Sequence, residues 1–197
     1  MTNAYSVVPY SVVPYSVVPY NIKISYYLFM AFLLPTYTIH YPLVNYFNLC
    51  NVHLNLVLIS FLTDKPIFIS MSAIGISIIQ LAWSLDFFCE TLGINFLGAT
   101  DYMYNPILPL YLRLLSLFHA WFPFFLFYLV KKVGYDQRAL YYQIVLSNSI
   151  CLLSYCNNDL YNENINLIKN YSVLNHLTFF PIAIFITHKF LMWVVSI

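Results

Sequence analysis

Charge is scarce in this chain, and that scarcity decides its solvent. Asp, Glu, Lys and Arg make up 8% of its 197 residues, against 61% hydrophobic and 20% aromatic. A soluble domain carries about 25% charged residues, and a surface this apolar would not stay dispersed in water. A net charge of +1 cannot neutralise a run of phosphates, which excludes nucleic acid as an electrostatic partner. Glycine is rare too, at 4 residues. Packing through small-xxx-small helix faces is therefore expected to be minor beside aromatic and aliphatic interdigitation. There is no G-x-S-x-G, no phosphate-binding glycine loop and no dinucleotide glycine pattern. His40, His53, His119, His176 and His188 show no H-x-x-x-H or H-E-x-x-H spacing, and Cys50, Cys89, Cys151 and Cys156 form no C-x-x-C. No metal site and no cofactor is expected from them. The thiols read as soft apolar filler. A Cys89–Cys156 disulfide stays open, because both residues fall near one membrane face.

What the chain has is hydrophobic length, and its expected partner is the lipid bilayer. A spanning helix needs about 20 mostly apolar residues. Residues 1–23 form an amino-terminal segment and residues 24–197 a transmembrane helical domain, with no room for a separate water-soluble domain. Residues 5–19 read Tyr-Ser-Val-Val-Pro three times, and Pro9, Pro14 and Pro19 forbid a helix there. An extended segment at the interface, with its tyrosines in the headgroup layer, is expected instead. The proline-broken apolar stretch has no early positive region and does not read as a secretory signal.

Long apolar runs then predict an all-α bundle of six transmembrane helices, with five as the fallback. The spans are Ile24 to about Tyr41, Leu43–Leu62, Ile67–Cys89, Pro106–Val130, Ala139–Cys156 and Val173 to about Val194. The first is short and interrupted by Pro35, so a surface helix is its alternative. Lys131, Lys132 and Arg138 put the loop after span four in the cytoplasm by the positive-inside rule. Lys23, Lys65 and Lys189 then fall on the same side, and both termini are expected to be cytoplasmic. The outer loops hold Glu90, Asp101, Asp159 and Glu163.

Polar groups at membrane depth are costly and face the bundle interior or a cavity. Asn48, Asn51 and Asn55, at i, i+3 and i+7, are expected on one face of span two, either bonding between helices or lining a cavity. Gln143, Ser147, Cys151 and Ser154 form a second stripe in span five. Asp86 and Glu90 lie four apart near the outer end of span three, where like charges repel. Three readings stay open for them: an ion pair with Arg113 on the next span, plain solvation, or one retained proton and an acid–base role. His119 is the deepest titratable group in span four, either a neutral hydrogen-bonding imidazole or a base, ligand or proton relay. Arg113 lies about 120° away from it around the helix. Gly134 is expected to cap span four, and Asp136 the start of span five.

The stretch Leu114–Leu140, LLSLFHAWFPFFLFYLVKKVGYDQRAL, resembles a signature segment of uncharacterised bacterial multi-pass "membrane-associated" proteins. Leu85-Asp86-Phe87 and Gly98-Ala99-Thr100-Asp101-Tyr102 match in the same sense. The resemblance implies the topology and a bacterial cytoplasmic membrane, and brings no mechanism with it. Such proteins carry an Asn-x-Asn-aromatic-Val-aromatic-Gly segment in the last outer loop. This chain instead reads Asn162-Glu163-Asn164-Ile165-Asn166 there.

Three functions follow as expectations. The first is a structural or assembly scaffold of unassigned role. The second is a membrane-embedded enzyme acting on lipid or another apolar substrate, with His119, Asp86 and Glu90 as acid and base. The third is a small transporter or channel with the Asn48, Asn51 and Asn55 stripe lining a path; these three and Arg113 are the candidate substrate-binding or cavity residues. A packed interior with every polar group paired favours the scaffold, an internal cavity open sideways to lipid beneath the outer surface the enzyme, and a water-filled path reaching both faces transport.

Overall fold

The computed structural model describes the backbone of residues 18–156 and 173–196, and the side chains of 18–153 and 179–194. The repeats up to residue 17, residues 157–172, and the side chains of Ser154, Cys156 and His176 lie outside these described residues. All regular elements among the described residues are helical: α1 (Tyr20–His40), α2 (Leu49–Thr63), α3 (Ile67–Thr91), α4 (Leu110–Ser116), α5 (Phe118–Val133), α6 (Ala139–Cys156) and α7 (Val173–Ser196), with 3-10 turns at Leu43–Phe47 and Asp101–Tyr104. Tyr20–His40, Ile67–Thr91 and the combined Leu110–Val133 are long and apolar enough to cross a membrane. The chain is an all-α, membrane-associated protein.

Helix α1 starts at Tyr20, ahead of the expected Ile24, because Pro19 takes the N-cap position, where a missing N–H costs nothing. Pro35 does not interrupt it. Hydroxyls crowd the carbonyls around the proline: Thr36 donates to Phe32 O (2.7 Å), and Tyr46 to Leu34 O (2.7 Å). Polar side chains of this kind steady proline-bearing membrane helices. Helix α2 starts at Leu49, later than the expected Leu43. Pro42 opens a separate 3-10 turn, and extended Asn48 (φ −60°, ψ 132°) ends it. The fourth apolar run begins at Leu110, after Pro109, and is broken at Leu117 into α4 and α5.

Helix α3 is the centre of the bundle, packed against α2, α5, α6 and α7. Its inner positions Ser70, Ser72, Ala73, Gly75 and Ser77 are all buried, so small residues matter more than glycine scarcity suggested. Gly75 makes room for the packing: a Cβ there would fall 2.5 Å from Gln143 Cδ and 2.6 Å from His53 Cε1, so one of them would have to shift. Aromatic interdigitation supports α1. The Tyr26 ring stacks on Phe125 (5.6 Å) and meets Phe61 edge-on (5.3 Å), and its hydroxyl donates to Leu54 O (2.7 Å).

One end of the bundle gathers the cations. Lys23 Nζ lies 3.5 Å from Asp64 Oδ1, joining the start of α1 to the α2–α3 turn. The 134–138 loop reaches the start of α3, where Asp136 N donates to Ser70 Oγ (3.0 Å). It also reaches α7 through Tyr135 and His188 Nδ1 (2.6 Å). Asp136 caps α6 as expected, its Oδ1 accepting from Arg138 N (3.0 Å) while the Arg138 guanidinium grips the same carboxylate (2.8 Å). The opposite end holds Asp86, Glu90, Asp101 and Arg113, and there Tyr111 joins His40 Nε2 (2.6 Å) to tie α4 to α1.

Candidate functional site

Helix α2 has 15 residues and α3 has 25, which at 1.5 Å per residue makes α2 shorter by about 15 Å. The shortfall lies at the end opposite the cations, and a cavity of about 380 Å³ occupies it, within the range of small-molecule sites. Its walls come from many elements. Tyr37 and Tyr41 arrive from the end of α1, Asn45 from the 3-10 turn, Asn48, Cys50 and Asn51 from the start of α2, and Ile78, Ala82 and Trp83 from α3. The 97–108 segment roofs it with Leu97, Ala99, Tyr102 and Leu108, and the α4–α5 break supplies Ser116, Phe118 and His119. That break is a 3-10-like step, in which Leu117 N donates to Leu114 O (3.2 Å) and Ala120 N to Leu117 O (3.0 Å).

Of the residues singled out in the sequence, the cavity brings together His119, Asn48 and Asn51, and leaves Asp86, Glu90, Arg113 and Asn55 outside its lining. The His119 ring lies flat against Phe118 (4.0 Å) and Trp83 (4.8 Å), and its Nδ1 is buried with no hydrogen-bond partner. Asn48 corrects the expected amide stripe. It is the N-cap of α2, its side chain accepting from Cys50 N (3.3 Å), and so does not share a helix face with the others. Asn51 Nδ2 donates to Asn45 O (2.8 Å), and Asn55 Nδ2 bonds back to Asn51 O (2.9 Å).

Of the three readings open for Asp86, the ion pair with Arg113 is not formed. Its carboxylate is fully buried and accepts from Leu97 N (2.6 Å), Gly98 N (3.2 Å), Thr100 N (2.9 Å) and Thr100 Oγ1 (2.9 Å). Arg113 turns instead to Met103 O (3.1 Å). Both groups hold the cavity roof in place, Asp86 by stapling its start to α3 and Arg113 by holding its middle to α4. Glu90 has one buried carboxylate oxygen, Oε2, without a partner. Tyr37 and Tyr102 both face the Ser116 hydroxyl, and burial pushes the Tyr102 phenol up to about 12, so it stays a neutral donor.

A second polar node lies deeper, toward the cation end. Across α2, α3 and α6, Gln143 Nε2 meets His53 Nε2 (3.2 Å) and Ser147 Oγ (2.9 Å) over the bare face of Gly75. Turning the Gln143 amide over would exchange donor for acceptor, yet either way His53 Nδ1 has no protein partner. Ser77 Oγ and both amide atoms of Gln80 are also buried without partners, with the Cys50 thiol beside Gln80. Sequence reasoning passed over His53, Gln80 and the cavity tyrosines. The available signal was a lone imidazole and a lone amide inside otherwise apolar runs. No group of three or more His, Cys, Asp or Glu suited to a metal occurs among the described residues. Comparison with protein-family models, curated proteins and solved structures returns no match.

Proposed function

We propose that this chain is a six-span membrane protein that holds a lipid-like molecule in a cavity within the outer half of its bundle. The observation that carries this is the cavity itself. It has apolar walls, a few convergent polar groups and an unpartnered His119 Nδ1 beside it, the usual make-up of a small-molecule site. A scaffold with a filled interior would not need that space. The lining reaches no deeper along α3 than Ile78, and His53 and Gln143 close over Gly75 below it, which favours a bound ligand over a transport path. The expected acid–base trio is not gathered at one point, because Asp86 is committed to the roof. His119 therefore serves as a wall and a hydrogen-bonding group.

In this reading the cation-bearing end, with Lys23, Lys65, Lys131, Lys132 and Arg138, faces the cytoplasm, following the positive-inside rule. The resemblance of Leu114–Leu140 favours a bacterial cytoplasmic membrane. Native mass spectrometry of protein extracted in mild detergent tests the function. Wild type should carry a stoichiometric lipid adduct, and Ala82→Phe, which fills the cavity from α3, should lose it. Identical adduct patterns in the two proteins would overturn the cavity-ligand reading.

A further inference from the structure

We infer that the ligand of this cavity is an uncharged lipid with a small hydrogen-bonding head, such as a long-chain alcohol or a monoacylglycerol, and not a phospholipid; this rests on the lipid-cavity reading above. The inference comes from what the lining offers. Among the described residues that line the cavity there is no Lys, Arg, Asp or Glu. A phosphate or ammonium head in such a site would lose its hydration without a counter-charge, and an isolated buried charge is far costlier than a buried hydroxyl.

Asp86, Glu90 and Arg113 all stand outside that lining. Asp86 is ringed by three backbone N–H groups and the Thr100 hydroxyl, and Arg113 donates through one guanidinium nitrogen to Met103 O while its Nε, like Glu90 Oε2, is buried without a partner. What does face the space is neutral and can donate or accept: the phenols of Tyr37 and Tyr102 around Ser116, the amides of Asn48 and Asn51, and His119. Hydroxyl and amide groups of this kind match an alcohol or ester head, which needs one or two hydrogen bonds and no ion pair. Ile78, Ile79, Leu97 and Phe118 supply the apolar walls against which a chain would lie.

Photolabelling separates the headgroup question from the cavity question. The full-length protein in phosphatidylcholine nanodiscs is exposed to a diazirine-bearing monoacylglycerol or a diazirine-bearing phosphatidic acid of the same chain length. Labelled peptides are then mapped for wild type and Ala82→Phe. Excess unlabelled monoacylglycerol on wild type gives a competition arm that needs no variant. The expected result is labelling around Trp83 and His119 by the neutral probe, on the order of tenfold or more above the acidic one. That labelling should be removed by the competitor and by Ala82→Phe. Equal or stronger cavity labelling by phosphatidic acid, lost in Arg113→Gln, would overturn the neutral-head inference and leave the lipid cavity standing. Labelling by neither probe that competitor or Ala82→Phe can reduce would overturn the lipid-cavity reading with it.

Discussion

Replacing Asp86 tests whether a buried carboxylate without a cationic partner stabilises this fold or burdens it. The side chain is fully buried and accepts four hydrogen bonds, two at Oδ1 from Leu97 N and Gly98 N and two at Oδ2 from Thr100. In Asp86→Asn the Oδ1 pair survives. The new NH2 confronts Thr100 N–H donor to donor, while the Thr100 hydroxyl can turn and accept. One charged hydrogen bond is lost, worth about 1.5–3 kcal/mol, and one N–H is left unsatisfied, costing about 1–3 kcal/mol. Against this, removing the charge relieves its desolvation. The short Leu97 contact of 2.6 Å and the three converging backbone donors argue that the hydrogen bonds win. A net loss of about 2–3 kcal/mol is expected, or a fall of roughly 5–10 °C in Tm for a chain of this size. Asp86→Ala, which removes all four, should cost more. The assay is thermal unfolding in detergent, with exposed Asp101→Asn as control, expected within about 0.5 kcal/mol of wild type. Because Leu97, Ala99 and Tyr102 hang from this staple and roof the cavity, lipid retention should fall with it. An Asp86→Asn protein that melts at or above wild type would refute the reasoning, since the carboxylate would then be a net cost.

Gly75→Ala places a methyl against Gln143 and His53, and such overpacking costs about 1–3 kcal/mol. Thermal melts should show it destabilised, with Gly75→Val worse; an unchanged Gly75→Ala melt would mean the α2–α3–α6 contact is looser than described. His119→Gln keeps a donor and an acceptor at similar reach, so it should retain lipid binding better than His119→Ala in the native mass spectrometry assay. Equal losses would point to ring stacking on Trp83 and Phe118 as the whole contribution of this side chain. Exposed Gln137, in the loop between α5 and α6, is expected to face the cytoplasm. An engineered Gln137→Cys should stay unlabelled by an impermeant thiol reagent in intact cells, and rapid labelling there would reverse the topology.

Features set by neighbours along the chain were legible in the sequence. The Asp136 cap could be anticipated because it needs only the N–H of Arg138, two residues on. The starts of α3 and α6 followed from where apolar runs meet polar or proline-bearing breaks. Asn48 was misjudged because a single proline, Pro42, shifted the start of α2 and turned a helix-face residue into a cap. The Asp86–Arg113 pairing failed for a different reason. Opposite charges on adjacent spans suggest an ion pair, but charge counting does not register backbone N–H groups, and those of residues 97–100 curl back onto Asp86 across 11 to 14 positions.

Composition alone determined the solvent and the class of element. With 8% charged residues the chain must satisfy its backbone hydrogen bonds internally in a bilayer, and apolar runs of this length do so as helices. Which polar groups meet inside was decided only by the tertiary structure. His53 and Gln143 are 90 positions apart and touch because Gly75 between them carries no side chain. The cavity exists because α2 is shorter than α3 and the 97–108 roof folds back over the gap. Both depend on distances between helices, which no local periodicity encodes.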